Sequence, residues 1–348
     1  MSSVWSVVHL RGPCEPKWLV ATSETQNLKL ETRNSLSSSI PRVETDGLIY
    51  AAITACTWGM VGIWVRLLPF PAVFVTGARL VIAFAGLLPF VLLSPARRQA
   101  LPAALRNRWS WFLAAALVSY YILAVTAFQF GTVAEIGLFV GTSPAFVLIT
   151  RLARRQPISK REWVGAAIAA VGILVVLGPK LTTTDASTMR RVIGDLLALA
   201  SAAMSAIYAG TFRALHEEHK SAPDPMAVAM IAMVAGGAGL TVLSLLTQPV
   251  AMERVLQPGP IAFLLLLGLL STAVPSITYA LASRKLPAIL STTSQLMIPV
   301  VATIAAAIVL KEKPSAWIFV GGALIVYGIV HMFRPETKPL AEGEATVD

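Results

Sequence analysis

The sequence has little charge and few cysteines. Only 13% of its 348 residues are Asp, Glu, Lys or Arg, whereas a soluble domain usually carries about a quarter. Hydrophobic residues make up 56%, and the mean hydropathy is +0.71. Single water-soluble cores stop growing near about 250–300 residues, so this much apolar surface excludes an ordinary soluble protein. It indicates a protein solvated by lipid.

Motifs of common enzymes and metal sites are also missing. The sequence contains no HExxH, GxSxG or GxxxxGK[ST] pattern, each of which would mark a known catalytic or nucleotide-binding site. Its two cysteines, Cys14 and Cys56, lack metal-ligand spacing. The four histidines lie in predicted tails, loops or a span end. We therefore expect no enzymatic activity, no cofactor and no metal site.

Acidic residues are the scarcer charged type, with 18 Asp and Glu against 28 Lys and Arg and a net charge of +10. Such a protein binds nucleic acid when basic runs are interleaved with aromatics on a water-facing element, and no such run is present. Membrane proteins instead collect Lys and Arg in cytoplasmic loops. The charge therefore indicates the lipid bilayer, and not nucleic acid, as a partner.

Long apolar stretches, separated by Pro, Gly or charged residues, predict ten membrane-spanning helices, because about 20 mostly apolar residues cross the hydrocarbon core. The predicted spans are 47–68, 71–94, 110–130, 132–150, 162–178, 193–213, 225–247, 260–282, 286–309 and 315–333. The third and fourth are separated near Gly131. The sequence thus predicts an all-α, multi-pass integral membrane protein.

Lys and Arg are distributed unevenly between the two predicted sides. With ten spans both termini share one side, and twenty of the 28 basic residues fall there against seven on the other side. Because cytoplasmic loops are enriched in Lys and Arg, both termini are predicted to be cytoplasmic. Residues 1–45 are polar and predict a disordered tail. Their apolar run Val4–Leu10 is too short for a cleaved signal peptide.

The two halves of the chain resemble each other. The segment from Pro144 to Gly165 resembles the segment from Pro299 to Gly321, with one gap. Five spans per copy place the second copy upside down, so we expect two inverted five-helix repeats, the arrangement of many secondary transporters. The predicted organisation is a tail at 1–45, a first repeat at 46–178, an exterior linker at 179–192, a second repeat at 193–334 and a cytosolic tail at 335–348.

Several short motifs resemble the EamA-type branch of the drug/metabolite transporter superfamily. They are Thr57-Trp58-Gly59, Gly77-Ala78-Arg79-Leu80, Pro144 with Gly165 and Gly172, and Pro299 with Lys311-Glu312-Lys313-Pro314, Gly321 and Gly328. The resemblance covers residues 47–333. It departs from the family at Gln156, where the second copy carries Glu312. This carboxylate is therefore not taken as essential for transport.

The resemblance implies a secondary carrier of small organic metabolites, often an exporter, in the cytoplasmic membrane of a bacterium. A multidrug or cation efflux carrier is the alternative. A non-transporting receptor or assembly protein ranks lower, since the longest exterior loop is only 179–192. A channel would need a continuous polar lining, which the apolar spans lack. The substrate, the coupling ion, with a proton as one option, and the oligomeric state, with a homodimer as one option, stay open.

Two charged residues inside predicted spans are candidates for the substrate pathway. Arg79 lies about two turns into the second span, where an ionised group is costly and marks a functional site by default. It either anchors an anionic group of the substrate or is structural, bonded to backbone carbonyls. Glu135, one turn inside the fourth span, is a candidate for proton coupling or for pairing with Arg79. A solvated residue at the helix end is the alternative.

Polar aromatic residues, a polar patch and two prolines complete the candidates. Trp58, Tyr120, Tyr121, Tyr279 and Gln295 are predicted to line the pathway, with packing as the alternative role for the rings. The patch, whose alternative role is interhelical hydrogen bonding, consists of Ser271, Ser276, Thr293, Ser294 and Gln295. Pro144 and Pro299 occupy corresponding positions in the two copies and are predicted helix breaks or hinges.

Overall fold

The structure, a computed structural model, describes residues 45–182, 185–218, 222–248, 250–286 and 294–333. These residues lie in one compact unit. Every regular element within these ranges is a helix. The predicted tails fall outside the described residues, apart from position 45.

Ten apolar helices form the described part of the molecule. Their bounds are α1 Thr45–Leu67, α2 Ala72–Leu92, α3 Arg108–Phe130, α4 Val133–Ala153, α5 Lys160–Leu181, α6 Ala186–Glu218, α7 Pro225–Thr247, α8 Pro258–Lys285, α9 Met297–Val309 and α10 Ala316–Phe333. Eight are long and apolar enough to cross a membrane, and α9 and α10 are shorter. The first eight predicted spans each coincide with one helix. Residues 287–293 of the ninth span are not described.

Two short helices, Pro95–Arg106 and Met252–Val255, lie in the connections. Side chains at several helix starts explain where the spans begin. Asn107 and Thr132 accept bonds from the first turns of α3 and α4, and Ser159 forms a capping box with Glu162 at the start of α5. Such caps satisfy backbone N–H groups that the helix itself leaves unpaired.

Four of the ten helices are irregular near their middle. Helix α1 is interrupted at Met60, and α4 is interrupted at Gly141–Thr142, just before Pro144. Proline lacks an N–H and clashes with the preceding turn of a helix. The second segment of α4 therefore begins at Ser143, with Pro144 in its first turn. Helices α7 and α8 instead contain π-helical segments, Ala232–Gly236 and Leu266–Ala273.

The helices pack in a reciprocal pattern between the two halves. Helix α1 packs on α8 and α9, and its counterpart α6 packs on α3 and α4. Helix α2 packs on both α7 and α8, and α7 packs on both α2 and α3. Helices α5 and α10, the last of each half, pack on each other. Exchanging the halves therefore reproduces the same set of contacts.

Glycines set the crossing of α5 and α10. A Cβ added at Gly165 would lie 2.5 Å from the carbonyl oxygen of Gly328, and one added at Gly172 would lie 2.6 Å from that of Gly321. The backbones touch at both points, which only glycine permits. The earlier glycine of α5 meets the later glycine of α10, so these corresponding helices run antiparallel.

Apolar side chains lie both inside the bundle and on its outer surface. The core includes Val65, Phe139 and Ile325, which are fully enclosed. The outer surface carries many large apolar side chains, among them Leu246 and Ile308, which are 78% and 73% exposed. Such a surface would aggregate in water and suits contact with lipid chains.

Candidate functional site

Arg79 is a buried cation in the interior of the bundle. It lies in α2 and is only 3% exposed. Its Nε donates to Thr272 Oγ1 at 2.6 Å, and its Nη2 donates a longer bond, 3.4 Å, to the Ser271 carbonyl. The guanidinium carbon lies 4.8 Å from the centre of the Tyr121 ring. Polar and aromatic groups therefore surround the charge.

No carboxylate of the described residues pairs with Arg79. Its partners are one hydroxyl, one carbonyl and the Tyr121 ring, all of them uncharged. The predicted pairing with Glu135 is wrong, because Glu135 forms its ion pair with Lys180, at 3.0 Å. A guanidinium has five N–H donors, so the site retains donor capacity beyond these two bonds.

The π-helical segment of α8 shapes the wall that faces Arg79. Thr272 Oγ1 donates to the Leu267 carbonyl five residues earlier, at 2.8 Å, which leaves its lone pairs facing Arg79. A Cβ added at Gly268 would lie 3.1 Å from the Arg79 carbonyl oxygen, so α2 and α8 approach closely here. Widened turns of this kind often occur at functional sites.

Aromatic residues from four helices surround the same region. Tyr120 and Tyr121 of α3 have ring centres 5.1 Å apart, and Trp58 of α1 lies 5.6 Å from Tyr279 of α8. Tyr208 of α6 interacts electrostatically with both Tyr121 and Tyr279. The structure thus brings Arg79 together with Tyr120 and Tyr121, and it brings Trp58 together with Tyr279.

A second buried charge cluster lies at one end of the bundle. Lys180, at the end of α5, contacts Glu135 of α4 at 3.0 Å and Asp195 of α6 at 2.5 Å. Asp195 is fully buried and Glu135 is 4% exposed. One oxygen of each carboxylate, Glu135 Oε2 and Asp195 Oδ1, is enclosed and has no hydrogen-bond partner. Glu135 is therefore separate from the Arg79 site.

Glu312 caps the start of α4 from the connection between α9 and α10. Its Oε2 accepts a bond from the Val133 N–H at 2.9 Å, where the helix dipole favours negative charge. Burial raises the pKa of the Glu312 carboxyl, and the bond from Val133 opposes this shift. The carboxylate missing from the first copy thus has an identifiable structural role in the second.

The prolines and the polar patch occupy the broken helices. Pro299 lies in the first turn of α9, and its Cγ would be 3.9 Å from a Cβ added at Gly141, in the break of α4. The break of α4 therefore contacts the first turn of α9. Gln295 lies in the turn before α9, and Thr293 lies outside the described residues. Within the described ranges no group of three or more His, Cys, Asp or Glu is arranged to hold a metal ion.

Sequence reasoning missed two members of the charge cluster. Lys180 falls in the predicted exterior linker, whereas in the structure α5 continues to Leu181. Lys180 is thus part of the helix, and its side chain contacts α4 and α6. Asp195 is the third residue of the predicted sixth span, and as an acid inside a span it carried the same signal as Glu135. Helix α6 begins earlier, at Ala186, so Asp195 lies more than two turns inside it.

The apolar surface, the buried charges and the repeated helix packing define a multi-pass integral membrane protein. The model of the EamA-like transporter family matches residues 45–178 and again residues 192–334. The chain therefore belongs to this family, which is part of the drug/metabolite transporter superfamily. The double match confirms both the resemblance and the repeat inferred from sequence.

One solved structure, described only as the crystal structure of a protein, is similar in fold. It is 18% identical, with a TM-score of 0.57, and the alignment covers 83% of this chain and 97% of that one. No curated protein matches the chain.

Proposed function

We propose that the protein is a secondary active transporter that exports small organic metabolites carrying a carboxylate, by alternating access. It spans the cytoplasmic membrane of a bacterium ten times, as two inverted five-helix repeats, with both termini in the cytoplasm. Family membership supports the transporter class. The antiparallel crossing of α5 and α10, which occupy corresponding places in the two matches, supports the inverted arrangement.

The burial of Arg79 without a carboxylate partner is the observation that supports an anionic substrate. An ionised side chain that is 97% enclosed is costly unless an opposite charge compensates it, and no carboxylate of the described residues does so. An organic anion would supply the missing charge. A guanidinium binds a carboxylate with two parallel hydrogen bonds, and the rings of Tyr121 and Tyr120 lie beside it to contact the apolar part of such a ligand.

The broken helices support movement around this site. The break of α4 contacts the first turn of α9 at Gly141 and Pro299, and the break of α1 also packs on α9, through Gly59 and Val301. Alternating access requires segments that rotate against a fixed site. The continuous α5–α10 pair supplies a stable frame, and the interrupted helices supply the moving parts.

A multidrug efflux carrier is the second candidate. The Trp58–Tyr279 pair offers tilted ring faces of the kind that bind flat lipophilic cations. The buried positive charge of Arg79 would repel the same ligands, so we rank this function below carboxylate export.

A thermal-shift screen of the purified protein tests the proposal, since a ligand that binds only the folded state raises the apparent Tm by mass action. The probes are amino acids, dicarboxylates, nucleosides and lipophilic cations. We expect a carboxylate-bearing compound to raise the Tm of the wild type, and Arg79→Ala to abolish the shift. Arg79→Lys keeps the charge but not the planar donor pair, so we expect it to retain only a fraction of the shift.

Arg98→Ala is the matched control, because Arg98 is an exposed arginine in the helix Pro95–Arg106. It should respond as the wild type does. If a carboxylate still raised the Tm of Arg79→Ala, Arg79 would not be the residue that binds it. If lipophilic cations alone raised the Tm of the wild type, the multidrug alternative would be favoured.

A further inference from the structure

We propose that Glu135, Lys180 and Asp195 form a proton-operated gate at one end of the bundle, which takes up one proton when that end closes. The cluster joins three helices, α4, α5 and α6, at the end where the connections α3–α4, α5–α6 and α9–α10 meet. The predicted topology makes this the exterior end. The gate rests on the proposed transport function only in that this end must open and close.

The closed geometry leaves part of each carboxylate without a partner. Lys180 Nζ contacts one oxygen of Glu135 and one of Asp195, while Glu135 Oε2 and Asp195 Oδ1 are enclosed and unpaired. A buried carboxylate oxygen without a donor is costly, whereas a protonated one is neutral. We place the proton at Asp195, which is fully buried and whose Oδ1 has no donor.

The charge balance gives the number of protons. Two carboxylates share one ammonium, which leaves one negative charge uncompensated inside the closed end. The neighbouring charges do not restore neutrality. Glu312 adds a further carboxylate near Glu135, whereas Arg191 near Asp195 and Arg66 near Glu312 are exposed and solvated. One proton, held at Asp195, brings the charges of Asp195, Glu135 and Lys180 together to zero.

When this end of the bundle opens, water solvates both carboxylates. The free-energy cost of the uncompensated buried charge is then removed. The helix ends fit closely when shut, since a Cβ added at Gly194 would lie 2.9 Å from the Gly131 nitrogen. The closed end is thus favoured at low pH and the open end at high pH. In an exporter this direction couples closure of the exterior end to uptake of a proton from outside.

Hydrogen–deuterium exchange of the full-length purified protein tests the gate without any substrate, so its failure leaves the Arg79 proposal unaffected. The readout is exchange of residues 130–137 and 190–197 from about pH 5.5 to 8.5, corrected for the pH dependence of the chemical step. For the wild type we expect the corrected rate to rise about tenfold per pH unit once the proton is lost, the slope for one proton.

Asp195→Asn removes the uncompensated charge, so exchange of residues 190–197 should stay slow and independent of pH, and exchange of residues 130–137 should lose the tenfold rise per pH unit. Glu135→Gln should do the same, and it serves if Asp195→Asn does not fold. Asp185→Asn changes an exposed acid just before α6 and should behave as the wild type. A flat wild-type profile would overturn the proposal. So would faster exchange of Asp195→Asn at every pH, which is the result expected of a purely structural ion pair.

Discussion

The Tyr121 ring stabilises the buried positive charge of Arg79. It is nearly buried, at 8% exposure, and its face lies 4.8 Å from the guanidinium carbon. A cation over a ring face is stabilised by about 0.5–1 kcal/mol at exposed sites and about 2 when desolvated. Both partners are buried here, so the upper part of this range applies.

Replacing the ring separates this contribution from that of the hydroxyl. We expect Tyr121→Leu to lower the stability of the protein by about 2 kcal/mol, because the buried cation loses its ring. Tyr121→Phe keeps the ring face and should cost much less. The apparent Tm of the two variants in the same detergent is the measurement. If both variants lost the same stability, the effect would come from the hydroxyl, and the cation–ring contact would not contribute.

At the scale of elements, the connection between α9 and α10 stabilises the start of α4 through Glu312. Because burial raises the pKa of this carboxyl, the folded protein holds its proton to higher pH than the unfolded chain does. Between the two pKa values the folded state binds more protons, so the contribution to stability is present at low pH and is lost as pH rises through the folded pKa.

Glu312→Gln removes this titration while keeping an oxygen that accepts from the Val133 N–H. We expect the variant to gain stability relative to the wild type as pH rises above the ordinary glutamate range, with little difference below it. Melting curves of both proteins across that range give the comparison. A difference that is constant with pH would show that the Glu312 proton does not contribute.

The crossing of α5 and α10 makes opposite predictions for two glycines of one helix. A Cβ at Gly172 would lie 2.6 Å from the Gly321 carbonyl oxygen, whereas one at Gly178 would meet nothing within 4 Å. We expect Gly172→Ala to destabilise the protein by about 1–3 kcal/mol through overpacking. Gly178→Ala should be neutral or stabilising by up to about 1 kcal/mol, because alanine favours the helix. The apparent Tm of each variant distinguishes these outcomes, and equal values would mean that the helices do not touch there.

At the scale of the whole molecule, the first eight membrane-spanning helices and the repeat follow largely from the sequence. Apolar length and interrupting Pro, Gly and charged residues locate the first eight helices to within a few residues, except that α6 begins seven residues before its predicted start at 193. The corresponding pairs Gly165–Gly172 and Gly321–Gly328 locate the repeat. These features are local, or recur at a fixed spacing, and a sequence displays both.

The partners of the buried charges do not follow from the sequence. Arg79 is bonded to residues of α8, 193 positions away along the chain, and Lys180 joins α4 to α6. Such contacts depend on how helices rotate and pack, which hydrophobic pattern alone does not specify. The axial depth of Arg79 and Glu135 suggested a pair, but the two residues lie in different clusters of the bundle.

The π-helical segments have a consequence for how a ligand is held. They occur in α7 and α8, whereas the corresponding helices of the first half, α2 and α3, are continuous α-helices within their described bounds. A two-fold related shell therefore encloses a lining whose two sides differ in shape and chemistry. A molecule bound there could not be turned end for end without changing its contacts, so we expect such a lining to distinguish the two ends of a bound ligand.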